Sequence, residues 1–366
     1  MLSIHKKDRQ EIIFLVLSFM SGFFEVSPFI LALNMFGILP AFAVVLFYQF
    51  GNLVPCPIKL SRPMLKIVSL FGILGLALFT ILEYLPILCI ATTFLSAAIQ
   101  TVRSESKSDV NKETKRVLRI TGFACGFLGA YPLILILLSV ISYLSICLAR
   151  FSVIKSNVTI PKLNTINFVM ILHQIHYFPY CYAVIILSII HVGVPGAIIL
   201  FLAGWITYIW GARLYRGRSL AASFFVAHAI LVMLLLGMYF VPSWPIKALL
   251  WILTGLVGTT EFCIAKLARA NKGSKNAESF VENVGHVLGV LLGLIAYWIT
   301  ADLLSTLLVG ATGATLAMAL MIVALNGKKT SHGKKTSHGK KPAKSKKPAQ
   351  KEDGLYESKY NYSNIQ

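Results

Sequence analysis

The chain has 366 residues, of which 57% are hydrophobic and only 13% are charged, and its mean hydropathy is +0.75. Because a soluble domain carries about 25% charged residues, this composition excludes an ordinary soluble domain and indicates a membrane protein. The net charge of +20 does not indicate nucleic-acid binding, since the basic residues are confined to short loops and to a C-terminal tail.

Apolar stretches long enough to cross a bilayer, about 20 residues each, recur from Glu11 to Leu325. Helices satisfy their own backbone hydrogen bonds in lipid, so the predicted fold class is an all-α polytopic membrane protein. The stretch 117–150 is either one long helix or two short helices with a break near Pro132. The predicted transmembrane helices are 11–32, 35–53, 64–82, 84–102, 117–133, 134–150, 165–190, 193–212, 219–240, 244–265, 280–300 and 303–325.

Positive residues mark cytoplasmic loops, and in this chain they occur at the N-terminus and after every second span. The loop after span 4 contains Arg103, Arg116 and Arg119 among its basic residues. The alternation holds only if 117–150 crosses the membrane twice, so it predicts 12 transmembrane helices with both termini in the cytoplasm. The compact loops favour a bacterial cytoplasmic (inner) membrane.

The C-terminal tail differs in composition from the rest of the chain. From Gly327 it is lysine-rich, and the sequence KKTSHG occurs twice, at Lys328–Gly333 and Lys334–Gly339. Low complexity of this kind predicts a disordered cytoplasmic tail over 327–366. Its lysines are expected to contact anionic lipid headgroups, with metal binding through its histidines as an alternative.

The two halves of the membrane region repeat each other. Small residues spaced along one helical face allow two helices to approach closely, and spans 5 and 11 each carry such a stripe. Six-plus-six repetition predicts an N-terminal bundle over 1–150, a central cytoplasmic loop over 151–164 and a C-terminal bundle over 165–326, with the substrate site between the bundles. The two stripes are Gly122, Gly126 and Gly129 in span 5, and Gly285, Gly289 and Gly293 in span 11.

With this topology, the chain resembles the major facilitator superfamily over about residues 8–326. Arg216-Gly217-Arg218 matches the end of that family's loop signature, although the aspartate of the signature is missing. The stretch Gly122–Gly129 looks like the family's antiporter motif in span 5, which favours export. The resemblance implies a monomeric secondary transporter without a cofactor, whose cavity is lined by helices 1, 4, 7 and 10.

Span 7 carries the clearest polar face. His173, His176, Tyr177 and Tyr180 fall at i, i+3, i+4 and i+7 on one face of a helix, and Gln174 flanks them. Because histidine titrates near neutral pH, this face is suited to relay protons, to bind an anion or to hold a metal through His173 and His176. The alternative is interhelical hydrogen bonding that only fixes the bundle.

Span 1 contains Glu25, with Ser18 and Ser21 on the same face. A carboxylate inside a membrane is by default a functional hypothesis, and we expect Glu25 to couple transport to protons. A static pair between Glu25 and a histidine of span 7 is the alternative.

Spans 4 and 10 supply the remaining candidate pathway residues. Span 4 ends near Arg103, which is interpreted as a charge that sets topology, with contact to an anionic substrate as the alternative. In span 10, a structural ion pair competes with a gating role for the glutamate. The candidates are Thr93, Ser96 and Gln100 in span 4, and Thr254 and Glu261 in span 10.

These features predict a secondary transporter that moves a small solute by alternating access, coupled to protons through Glu25 and the His173/His176 face. A metal, a metal chelate or a small carboxylated metabolite suits the polar face. The predicted cavity contains few basic residues, which argues against a polyanion as the substrate. No GxxxxGK[ST] motif is present, so ATP hydrolysis by this chain is not expected. The alternatives are an integral-membrane enzyme and a non-transporting scaffold or receptor with a transporter fold.

Overall fold

A computed structural model of the full chain describes residues 6–58, 60–105, 112–149, 163–176, 182–214, 219–257, 263–264 and 275–333. Within these ranges the α-helices are α1 (Lys6–Phe36), α2 (Ile38–Leu53), α3 (Arg62–Leu82), α4 (Leu85–Glu105), α5 (Lys112–Leu128), α6 (Pro132–Leu148), α7 (Thr165–Gln174), α8 (Val184–Leu214), α9 (Leu220–Phe240), α10 (Trp244–Thr254), α11 (Lys275–Thr300) and α12 (Ser305–Gly333).

The described helices have the length and surface of a membrane protein. Seven of them are long and apolar enough to cross a bilayer, and 78% of the apolar window of α1 is buried against 28% of that of α3. Large apolar side chains of α3, such as Ile67, Leu74 and Ile81, are more than half exposed, which is favourable where lipid is the solvent. The chain is therefore an integral, multi-pass membrane protein with α1 in its interior, while the twelve-span count stays a prediction.

The stretch 117–150 contains two helices. Helix α5 ends at Leu128, and α6 begins with Pro132 in its first turn. Proline is tolerated there because its missing N–H would have no partner in the first turn of a helix. Of the two interpretations of this stretch, the one with a break near Pro132 is confirmed.

The predicted span 165–190 is interrupted. The side chain of Asn164 accepts a hydrogen bond from the Asn167 amide and so begins α7, which ends only ten residues later at Gln174. Pro179 has no N–H to donate to the carbonyl of Ile175, which is a physical reason for the helix to stop before it. The chain is helical again from Tyr182, and Gly193, whose φ is +68°, separates this segment from the rest of α8.

The glycines of α5 bring α1 and α5 into close contact. A Cβ atom on Gly122 would overlap the backbone carbonyl of Phe19, and one on Gly22 would overlap that of Arg119. On the next turn, a Cβ on Gly126 would lie 2.9 Å from the carbonyl oxygen of Phe23. The backbones of the two helices can approach this closely only because these residues lack side chains.

The same arrangement recurs between α7 and α11. A Cβ on Gly285 would lie 2.7 Å from the carbonyl oxygen of Ile171, and one on Gly289 would lie 2.6 Å from that of Ile175. The glycine stripes that the sequence shows in spans 5 and 11 therefore pack against α1 and α7, which occupy corresponding places in the two halves.

The two halves meet at α2 with α11 and at α5 with α8. Phe42 and Tyr297 make an edge-to-face contact between α2 and α11, with ring centroids 5.6 Å apart. Phe123 stacks on Phe201 between α5 and α8 at 4.3 Å. Phe42 and Phe123 belong to an apolar core that also contains Ile185, so the two halves share a core where they meet.

The predicted tail lies almost wholly outside the described residues. Helix α12 continues through the first KKTSHG sequence to Gly333, which the high helix propensity of lysine favours. The disorder of the segment beyond it stays a prediction.

Substitution of Gly122 tests the close packing of α1 on α5. We expect Gly122→Ala to lower the thermal unfolding midpoint, because overpacking at such a site costs about 1–3 kcal/mol. Gly204→Ala is the matched control, since a Cβ there meets no atom within 4 Å and alanine stabilises a helix by up to about 1 kcal/mol over glycine. Thermal unfolding of detergent-purified protein measures both variants, and a midpoint for Gly122→Ala at or above that of Gly204→Ala would contradict the packing.

Candidate functional site

The side chain of Glu25 is buried in the interior and is contacted from both halves. Its Oε2 atom accepts a hydrogen bond from the Arg119 guanidinium at 2.8 Å, and the carboxylate side chain is 1% exposed. The hydroxyl of Tyr182, from the helical segment that follows α7, lies 3.5 Å from Oε1 and is oriented to donate to it. Arg119 belongs to the N-terminal half and Tyr182 to the C-terminal half, so this carboxylate lies where the halves meet.

Arg119 reaches Glu25 because of its place in α5. It precedes Gly122 by three residues and therefore shares the face that packs on α1, and the missing side chain of Gly22 makes room for its backbone. The charge pattern of the sequence assigns Arg119 to the basic residues of a cytoplasmic loop, and this assignment is wrong. Its helical spacing from the glycine stripe was the signal that could have identified it.

A second guanidinium group lies one helical turn away along α1. Nη1 of Arg103, near the end of α4, donates to the Ser21 hydroxyl at 2.5 Å and to Oε1 of Gln100 at 3.2 Å. A charge that only set topology would extend into the aqueous loop, whereas Arg103 turns towards the polar face of α1. Arg103 is therefore directed into the bundle, and its two interpretations, as a charge that sets topology and as a contact for an anionic substrate, stay predictions.

Tyr48 of α2 completes this polar cluster. Its hydroxyl donates to the carbonyl of Ser21 at 2.9 Å, and its side chain is almost completely buried. The charges of Glu25, Arg103 and Arg119 all act on it, so the four groups lie within electrostatic range of one another. Sequence reasoning missed Tyr48 because most of α2 is strongly apolar, although Asn52 follows Tyr48 by four residues on the same helical face.

The predicted histidine face is divided among several partners. His173 is buried, and its Nδ1 lies 2.9 Å from Nε2 of His228 in α9. Nδ1 of His228 lies 2.8 Å from the carbonyl oxygen of Phe224. A carbonyl can only accept, so we assign the His228 proton to Nδ1 and infer that His173 donates to His228. The isolated histidine in the apolar α9 was a signal that sequence reasoning did not use.

The other described polar residues of span 7 have different hydrogen-bond partners. Nδ1 of His176 contacts the carbonyl of His173 in the turn after α7, and the amide oxygen of Gln174 accepts from His286 of α11 at 2.9 Å. His173, Gln174 and His176 therefore do not form one continuous helical face, because α7 ends at Gln174. Tyr177 and Tyr180 lie outside the described residues.

The remaining candidates have local backbone partners. The hydroxyl of Thr93 donates to the carbonyls of Phe47 and Cys89, and that of Ser96 donates to the carbonyls of Tyr48 and Thr93. These bonds account for both residues as packing contacts between α4 and α2. Thr254 is buried and donates to its own helix, at the carbonyl of Trp251, whereas Glu261 lies outside the described residues.

The histidines do not form a ready-made metal centre. His173 and His176 have ring centroids 4.7 Å apart, but the described part of the chain contains no group of three histidine, cysteine, aspartate or glutamate side chains placed to hold a metal ion. A metal role for this pair stays a prediction.

Further contacts join the halves at the predicted cytoplasmic end. The Arg116 guanidinium lies over the rings of Trp205 and Tyr208 of α8, at 4.8 and 4.6 Å from the ring centroids, which gives these aromatic residues an interior partner. In addition, the Asn283 amide of α11 donates to Sγ of Cys56 at 3.4 Å. Burial raises the pKa of the Cys56 thiol, so Cys56 is a neutral acceptor for this contact rather than a reactive thiolate.

The chain matches no family model and no curated protein in sequence, but solved transporter structures share its fold. The nucleoside transporter NupG superimposes with a TM-score of 0.60 at 14% identity, over 87% of this chain and 99% of that one; a point mutant of NupG gives 0.60 at 11%, over 86% and 99%. A bacterial homologue of the iron transporter ferroportin, in an outward-facing state, gives 0.56 at 12%, over 87% and 99%. The chain therefore has the fold that these transporter structures share.

A double-mutant cycle tests the Glu25–Arg119 pair. We expect Arg119→Ala to lower the free energy of unfolding by roughly 2–4 kcal/mol, because it leaves a buried carboxylate without its cation, with some loss to screening since Arg119 is 42% exposed. Replacing both partners by glutamine should recover most of this loss, because neither charge then remains. Unfolding in detergent measures the cycle, and strictly additive effects would show that the two side chains are not coupled.

Proposed function

We propose that this protein is a secondary transporter that moves a small solute by alternating access and couples this movement to protons through Glu25. The proposal rests mainly on the position of this carboxylate. It is buried, forms an ion pair with Arg119 in its own half and is contacted by Tyr182 from the other half. The fold that it shares with known transporters supports the proposal.

Alternating access requires contacts between the halves that open in turn. The described residues provide such contacts away from Glu25, at Phe42 with Tyr297 and at Arg116 with two aromatic rings of α8. Each is an aromatic or cation–π contact, and the first adjoins an apolar core to which both halves contribute. Such contacts are weak enough, at about 0.5–2 kcal/mol each, to break during a transport cycle.

Protonation of Glu25 links these movements to a proton gradient. The charged carboxylate attracts Arg119 and is a stronger acceptor for Tyr182 than the neutral acid, so protonation weakens a contact within one half and a contact between the halves. A group whose protonation changes both contacts biases the equilibrium between conformations. The buried pair of His173 and His228 is a second proton-accepting group in the proposal.

Several solutes remain candidate substrates within this proposal. The structural neighbours are named for nucleoside and iron transport, and the polar groups of the site suit a metal, a metal chelate or a small organic acid. The setting that we propose is a monomer in a bacterial inner membrane, with both termini in the cytoplasm and the basic tail against anionic headgroups. Export is the proposed direction, since the glycine stripe of α5 resembles an antiporter motif.

Solute-driven proton movement tests this function. Purified protein in liposomes that contain a pH-sensitive dye should move protons when uridine, ferrous iron, citrate or lactate is added on one side. We expect Glu25→Gln to abolish this signal, because an amide does not exchange protons with the two aqueous phases.

The matched control is Glu83→Gln, a glutamate at the exposed end of α3, which should keep the wild-type signal. A proton signal of full size from Glu25→Gln, in protein that unfolds with a clean transition, would refute the coupling role of this carboxylate.

A further inference from the structure

The two guanidinium groups near Glu25 form a feature that proton coupling alone does not explain. Arg103 and Arg119 come from different helices, and both direct their side chains to the Ser21–Glu25 face of α1. Burying charge in an apolar bundle costs free energy unless it is paired. Guanidinium groups are the side chains that bind carboxylates with paired hydrogen bonds, so this face of α1 has the chemistry of an anion-binding site.

The ion pair is asymmetric in its accessibility. The Glu25 side chain is 1% exposed, whereas that of Arg119 is 42% exposed. The charge of Arg119 also acts on His286 of α11, so Arg119 lies near the C-terminal half as well as near α1. Of the two groups of this pair, only the cation is therefore accessible from outside the protein.

We propose that the substrate is a small organic carboxylate that binds to Arg119 in place of the Glu25 side chain, at the moment when Glu25 takes up a proton. This inference rests on the proposed transport function and specifies its substrate class. An arginine fork matches a carboxylate with two parallel hydrogen bonds, and Arg103, one turn along α1, supplies a second positive charge at the same face.

Charge balance makes the two events depend on each other. Before binding, the negative charge of Glu25 neutralises Arg119; after binding, Glu25 carries a proton taken from water and the substrate carboxylate neutralises Arg119. The net charge of the buried pair is the same in both states. Binding of the proton alone or of the anion alone would leave one unpaired charge in the interior, which is the costly arrangement, so the site favours joint occupancy.

The neighbouring groups support Arg119 as the exchanging partner. Tyr48 from α2, Arg103 from α4 and Tyr182 from the segment after α7 surround Glu25 together with Arg119. The charges of Glu25 and Glu282 both act on Arg103, whereas Arg119 donates directly to the Glu25 carboxylate. The positive charge of Arg119 is neutralised by Glu25, and protonation of Glu25 would remove that neutralising charge.

Ligand binding as a function of pH tests the substrate class. The probes are acetate, lactate and benzoate, which stay ionised from mildly acidic to mildly alkaline pH, with uridine and choline as neutral and cationic controls. Because one proton is taken up per anion, wild-type affinity should fall by up to about tenfold per pH unit as pH rises. In Glu25→Gln, at least one of the anions should bind independently of pH and at least as tightly as to wild type at the most acidic pH.

The double variant Glu25→Gln/Arg119→Gln separates anion binding from folding. It has no unpaired charge in the interior, so it should unfold as cooperatively as wild type, yet lose roughly 10- to 100-fold in affinity for the same anion. Equal anion affinity in the single and double variants would overturn the inference. So would a Glu25→Gln protein that binds none of the anions more tightly than chloride.

The outcomes also distinguish this inference from the function on which it rests. If uridine or choline drives proton movement that Glu25→Gln abolishes, while no anion binds to that variant, the protein is a proton-coupled transporter and only the carboxylate assignment is wrong. If anions bind as expected but no solute drives proton movement through the wild type, the site binds anions and the transport function is wrong.

Discussion

The ion pair between Glu25 and Arg119 is the interaction on which the organisation of this protein depends. An ionised carboxylate inside a membrane bundle is unfavourable without a partner, and here the partner comes from a helix that would otherwise carry its arginine to the surface. The close approach of α1 and α5 makes the pair possible, and that approach requires glycine at positions 22 and 122. Backbone packing and electrostatics are therefore two parts of one structural solution.

Close helix packing through glycines also occurs in the second half of the chain, but there it brings together different side chains. Helix α11 approaches α7 through Gly285 and Gly289, but the groups brought together there are Gln174 and His286, which are linked by a hydrogen bond. The N-terminal half thus contributes the Glu25–Arg119 ion pair and Arg103, and the C-terminal half contributes hydrogen-bonding groups together with Glu282, whose charge acts on Arg103. Tyr182, which lies close to Glu25, connects the two environments.

This division suits a transporter whose proton site and substrate site share one cation. In the proposed mechanism, Glu25 does not bind the anion itself. It responds to the anion because both groups compete for Arg119. The contacts between the halves include aromatic, cation–π and hydrogen-bonded pairs as well as shared apolar packing, and the proposed conformational change would rearrange them. Coupling then arises from competition for Arg119 and does not need a separate signal between distant sites.

The sequence by itself determined the membrane class, the positions of most helices and the place of Glu25 inside an apolar helix, because hydropathy and helical periodicity are local properties. It also located the glycine stripes of α5 and α11, since small residues at helical spacing are visible without a fold. Only the tertiary structure decided which groups pair. Arg119 and Arg103 looked like loop charges until packing turned them towards α1, and His173 looked like a cavity residue until α9 brought His228 beside it. Partners separated by many residues in the chain leave no periodic signal, so the packing of helices alone determines them.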